Sequence, residues 1–253
     1  MAMLANPLPQ LTHDPTGRAL GLALPPGRLM GPVAEPWFWY ADEPAGPEDW
    51  ARLAGARRTA GLHPVLLGGA RELTEWELAP QEMSYPGDHH PEDVLAESWA
   101  AYAGDELGFG AEDWPGLAEA PALQEDPDRR AAEVARAAVV EGALKGARAA
   151  LVPARRSADI PAAIGWGGSL HHEQDVAPLC AVLRSWEDRF GVRLVGLTPD
   201  HLTVSVAAPP TDEEEALVLA AEHFAFCPEA IAMDLPEHAE SLRGKGSWTF
   251  RWD

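Results

Sequence analysis

The stretch VRLVGLTPDHLTVSV, residues 192–206, decides the fold. Leu202, Val204 and Val206 alternate with Thr203 and Ser205, and a period of two marks a strand with one face turned to a core. VRLVGLT precedes it, and Thr198, Pro199 and Asp200 supply the turn, so the whole stretch reads as a β-hairpin. Upstream, Val176, Leu179, Cys180, Leu183 and Phe190 fall on one helical stripe, with Asp175 as N-cap, Pro178 in the first turn and Gly191 as the stop. Downstream, Thr211 and Glu214 form a T-x-x-E capping box for a helix that carries His223. A short helix around 236–243 and a final strand, SWTFRW, follow. A strand within ARAALVPA, ending near Pro153, completes the order β-α-β-β-α-β. That is the order of a ferredoxin-like sandwich, with an antiparallel sheet and helices on one face.

Before this region the chain is punctuated differently. Residues 7–36 are rich in Pro and Gly and read as an extended lead-in. PWFWYAD, Pro36 to Asp42, is a short aromatic strand. GPEDWARLAGARRTAGL opens with acids and closes with arginines before Gly61, as a helix complementing its own dipole does. HPVLL, His63 to Leu67, is a second strand, and strand, helix, strand in so short a span predicts a βαβ unit with a parallel pair. A helix from about Pro91 to Ala103, a long connection to Asp128 and an Ala-rich helix lead into the C-terminal part. The expected class is therefore α/β (α+β): a smaller N-terminal βαβ-containing region over 1–128, and a C-terminal ferredoxin-like domain over 129–253 with its core at 151–253.

Bulk composition limits the function. At 253 residues and 46% hydrophobic content the chain can bury a sizeable core, and ten tryptophans predict that indoles anchor it. The N-terminus has no basic segment followed by an apolar run, and no window suits a bilayer crossing. With Cys180 and Cys227 as its two cysteines, the chain fits a reducing compartment, so a cytoplasmic location is expected. The net charge is -21, and sixteen acids lie between Glu72 and Asp128 with no Lys or Arg among them. Leu194 to Leu242 adds ten acids, again without a base. Such a surface repels phosphate backbones and argues against nucleic acid as a direct partner. It suits a docking face for a basic protein; the plainer reading is a solvated surface that maintains solubility.

The C-terminal part resembles a known family. GWGG at Gly165 to Gly168, HHEQD ending at Asp175, VLRSWEDRFGVRLVGL from Val182 to Leu197, LTVSVAAPPT, AAEHFAFCPE and SWTFRWD carry the likeness. Over roughly 151–253 they resemble, in order and spacing, the bacterial domain of unknown function family 4253. PLPQL, LPPGR, HPVLL and HHPEDVLAESWA are similar to the fore-part of longer members. The chain departs from the family pattern at HHEQD, where an Asn-His pair is expected, and at FRWD, where two adjacent tryptophans are expected. The resemblance implies a cytoplasmic protein and brings no catalytic residue or cofactor with it.

Candidate chemistry therefore has to come from the residues. His223 and Cys227 are four apart, so a helix stacks imidazole over thiol, and together with His171, His172 or Asp175 they are candidate zinc ligands. The chain lacks paired C-x2-C or H-x3-H ends, and the plainer reading is a half-buried histidine with a packed thiol. No cofactor is predicted beyond this zinc candidate. His171, His172, Glu173 and Asp175 precede a helix behind the Gly-rich GWGGS turn, a form suited to anion binding and proton transfer. His171, His172 and Asp175 are the catalytic candidates with His223, and Trp166, Gly167 and Gly168 are the ligand-binding candidates. His89 and His90, near Asp88, Glu92 and Asp93, suit a divalent cation or simply an exposed loop. GWGG has neither phosphate-binding glycine framework, and no G-x-S-x-G elbow occurs. Trp166, Trp186, Trp248 and Trp252 fit either a pocket or a core. Two functions follow: a non-enzymatic interaction module of the immunity or antitoxin kind that meets a basic partner, or a metal-assisted small-molecule enzyme or sensor using His171–Asp175 and His223.

Overall fold

The structure, a computed structural model, describes residues 6–68, 73, 76, 78–106, 113–142, 144–168, 175–228 and 234–252. Its centre is one seven-stranded mixed sheet. The strands are β1 (Gly27–Met30), β2 (Phe38–Ala41), β3 (Leu62–Leu67), β4 (Arg148–Pro153), β5 (Arg193–Leu197), β6 (His201–Ser205) and β7 (Ser247–Arg251). The helices are α1 (Asp49–Leu53), α2 (Ala56–Ala60), α3 (Pro91–Glu106), α4 (Pro127–Glu141), α5 (Ile160–Ile164), α6 (Ala177–Phe190), α7 (Glu213–Phe226) and α8 (Leu235–Leu242). The order across the sheet is β1-β2-β4-β3-β5-β6-β7, and every neighbouring pair is antiparallel except β3 with β5.

This order corrects two expectations. The hairpin β5–β6 forms as its alternation predicts, and the C-terminal elements run β-α-β-β-α-β along the chain. They do not form the ferredoxin-like sheet, because β3 from the N-terminal half lies between β4 and β5. Nor do β2 and β3 make a parallel pair. Each pairs antiparallel with β4, which is inserted between them. Periodicity reports which residues of a strand are buried; it carries no information about which distant strand sits beside it.

Helices cover both faces of the sheet, a third departure from the expected one-sided arrangement. On the first face α3, α5, α6, α7 and α8 pack over Phe38, Tyr40, Val65, Leu67, Ala150, Val152, Leu202 and Val204. On the second, α1, α2, α4 and the N-terminal Leu8 and Leu11 pack over Trp39, Leu62, Leu66, Ala149, Leu151 and Val195. β3 is buried at all six positions, which is why its sequence shows a continuous apolar run and no alternation. Its Pro64 lies before the point, Leu66, at which β5 begins to pair. A register irregularity between Leu194 and Gly196 lets Leu194 and Leu197 both join the first core, although three positions separate them.

Caps fix the helices of the first face. Asp212, not Thr211, caps α7 by accepting the Glu215 N–H at 3.0 Å, so the capping motif is shifted one residue from T-x-x-E. Asp234 caps α8 in the same way through Glu237, and Gly191 closes α6. No helix among the described residues is long and apolar enough to cross a membrane.

Candidate functional site

Helix α6 connects two places that carry chemistry, a polar shoulder at its N-terminus and an aromatic box beyond its middle. At the shoulder the Asp175 carboxylate accepts the Ala177 N–H at 2.9 Å and so holds the first turn of α6. The same carboxylate accepts the Ser84 N–H, at 3.2 Å to each oxygen, which docks the loop before α3 against α6. The hydroxyl of Ser84 is 2.7 Å from His89 Nε2. The next residue, Tyr85, lies between two guanidiniums: Arg184 is 4.9 Å and Arg155 5.3 Å from its ring centroid, and Arg155 donates to its hydroxyl at 3.2 Å. These cations hold the phenol below its ordinary pKa, the hydrogen bond from Arg184 being the main cause. Arg184 is itself fixed by a bidentate ion pair with buried Asp159, at 2.5 and 2.8 Å.

The sequence candidates fall around this shoulder unevenly. His171, His172 and Glu173 lie outside the described residues. Asp175 is a helix and loop anchor. Trp166 is buried and donates its indole N–H to the Thr198 carbonyl at 2.7 Å, while Gly167 is exposed. The glycines beside Trp166 make room for protein. Gly165 ends α5 with φ 65°, and a Cβ there would come within 2.2 Å of the Ala79–Pro80 peptide. A Cβ on Gly168 would meet the Pro199 carbonyl and the Trp166 ring, each at 2.2 Å.

The box is built on α6, α7 and β7. His223 is 2% exposed and packs edge-on against Trp248 (4.6 Å between ring centroids) and Phe250 (4.9 Å), with Trp186 at 5.1 Å. Its Nδ1 is 3.2 Å from Nε2 of half-buried His238 on α8. Its own Nε2 has no hydrogen-bond partner, and neither has Trp248 Nε1. Burial, with the nearby charge of Lys245, holds His238 down to about 4 and His223 well below 6.5, so both rings are neutral near pH 7. The expected stacking partner behaves otherwise: Cys227 follows α7 as its C-cap, and its thiol donates to the Arg251 carbonyl at 3.1 Å. His223 is thus fully buried rather than half-buried.

Beside the box Glu222 is 0% exposed and wholly satisfied. It accepts the Ala118 N–H (2.7 Å), the Trp186 indole N–H (2.8 Å) and two N–H groups of Arg189 (2.7 and 2.5 Å). Ring contacts run from the box to the GWGG turn: His223 touches Trp186, Trp186 touches Phe226, Phe226 touches Trp252, and Trp252 touches Trp166. The four tryptophans named from the sequence all lie in the core, and two surface hollows of about 330 Å³ each, beside β1 and around Arg18 and Arg52, contain none of the candidates. No group of three His, Cys, Asp or Glu suited to a metal occurs among the described residues. Sequence reasoning missed His238, Tyr85, Arg184 and Glu222. Only Glu222 left a signal, as a lone acid inside the apolar run LVLAAEHFAF.

Residues 148–253 match the family model described as a domain of unknown function, DUF4253. The match begins at β4 and runs through the hairpin, both sides of the box and β7. No curated protein and no solved structure matches the chain.

Proposed function

We propose that this chain, with DUF4253 as its C-terminal domain, is a non-enzymatic interaction module of the immunity or antitoxin kind that binds a basic protein in the cytoplasm. One observation carries the reading: three arginines of α6 and β5 in the DUF4253 domain are paired inside the protein, while the acids of α3 face outward. Arg184, Arg189 and Arg193 are spent on Asp159, Glu222, and Asp128 with Glu187. On α3 and the segment after it, Glu92, Asp93, Glu97, Asp113 and Glu119 are exposed or half-buried. Among the described residues their one ion-pair contact is His90 with Asp93, at 4.0 Å. Unneutralised acids on a rigid helix speed encounter with a cationic surface and select against anionic ones. Two buried cysteine thiols suit a reducing location. Affinity capture with the whole chain at low ionic strength, beside the variant E92Q/D93N/E97Q, tests this. The expected result is a basic protein retained by the chain, released by salt, and held several-fold more weakly by the variant. Retention that ignores both salt and the variant, or no basic protein retained, overturns it.

A second reading rests on the shoulder. Ser84 and His89 are at nucleophile-to-base distance, beside two arginines, which suits a small-molecule enzyme or sensor. Reaction of Ser84 with a fluorophosphonate, lost in His89→Ala at unchanged melting temperature, would support it. An unreactive Ser84 would remove it.

A further inference from the structure

We infer that His223 and His238 form a two-nitrogen site for a borderline-soft divalent cation such as Zn²⁺, with its remaining positions open to water or an outside ligand. The distance between the facing nitrogens supports this. Two imidazole nitrogens bound to one tetrahedral zinc, each at about 2.0–2.1 Å, stand about 3.3 Å apart; His223 Nδ1 and His238 Nε2 stand 3.2 Å apart. The rings are also held in place. His223 is enclosed by Trp186, Trp248 and Phe250, and His238 sits on α8, whose cap at Asp234 and packing on α7 set its direction. Ordering the ligands before the metal arrives reduces the entropy lost on binding.

The two faces of the pair differ in a useful way. His223 is sealed in the core, while His238 is half-buried, so a cation between them is reached from the α8 side. With a cation on Nδ1, His223 carries its proton on Nε2. That N–H has no oxygen acceptor and faces an aromatic wall, where the Trp248 ring stands at 76° to the imidazole. In the hydrogen-bonded alternative, Nε2 is a buried lone pair with no donor when His223 Nδ1 donates, and an N–H against the same rings when His238 Nε2 donates. Among the described residues, Lys245 is a charged group that bears on both histidines; it opposes a cation, but it is exposed and screened. Glu222, adjacent on α7, is already neutralised by Arg189. Cys227 is not a ligand, since its thiol faces the Arg251 carbonyl.

The test titrates ZnCl₂ into the whole chain, made without a histidine tag, by calorimetry, and records the absorption of the Co²⁺ form. One equivalent of Zn²⁺ is expected to bind. Affinity should fall about tenfold or more in His238→Ala, a half-buried position chosen so that folding survives, and stay unchanged in Cys227→Ser. The Co²⁺ spectrum of the unaltered chain should lack the thiolate charge-transfer band, a readout that depends on no variant folding. Absence of stoichiometric binding would leave the pair as a plain hydrogen bond and overturn the inference. So would unchanged affinity in His238→Ala, or a thiolate band that disappears in Cys227→Ser.

Discussion

Glu222 shows at a single residue how this core tolerates a charge. A carboxylate fully removed from water is costly unless its lone pairs are filled, and here four N–H donors from three residues, Ala118 and the α6 pair Trp186 and Arg189, fill them. Glu222→Gln keeps the shape and removes the charge, which leaves Arg189 facing a neutral amide. The expected loss is about 3 kcal/mol, read from the urea midpoint; a loss below about 0.5 kcal/mol, the level of a surface change, would contradict this account. Residue-level legibility was mixed for a related reason. His223 lies inside α7 and Cys227 beyond its end as the C-cap, and each side chain took its partner from another element, His238 on α8 and Arg251 on β7. Local spacing identifies neighbours along one helix; a burial site is furnished by whatever the topology brings across.

At the scale of elements the sequence was far more informative. Both strands of the hairpin, the α6 stripe and its closing glycine, and the final strand all stand where alternation and punctuation put them. These signals are local and physical: side chains facing one core, and residues that cannot continue a helix. The α7 cap was misplaced by one residue because Thr211 and Asp212 are both competent cap residues, and backbone geometry, which sequence does not display, selected Asp212. The distinction is measurable. Asp212→Ala should cost about 1 kcal/mol and Thr211→Ala less than about 0.5 kcal/mol in chemical denaturation. Equal costs would return the cap to Thr211. Apart from the β5–β6 hairpin, strand neighbours were not legible, since β3 joins β4 and β5 across long stretches of intervening chain.

For the whole molecule the histidines set a pH limit. His63, buried at the start of β3 near Arg57 and Arg193, is lowered to about 4 by burial and by those charges, although Asp159 and Asp128 pull the other way. His238 is lowered to about 4, and His223 well below 6.5, in each case chiefly by burial. A group whose pKa is lower in the folded state takes up its proton more readily when unfolded. Folding is therefore favoured fully above about 6.5 and progressively less as pH falls toward about 4. His63 alone is worth about 3 kcal/mol over that window. The melting temperature should accordingly fall between pH 6.5 and 4, and less steeply in a His63→Gln variant. A flat profile would mean that these rings are protonated in the folded protein.

The insertion of β3 between β4 and β5 makes the family segment structurally dependent on chain outside it. A fragment covering 148–253 would hold β4 with neither of its neighbours, and would leave β5 paired only with β6. It should be expressed as an insoluble or associating species, because bare strand edges recruit one another. Supplying 1–147 as a separate polypeptide should restore solubility, by threading β3 into the slot between the two halves. The molecule would then behave as a natural split-reporter scaffold, in which reassembly of two inert pieces is read out as recovery of one sheet.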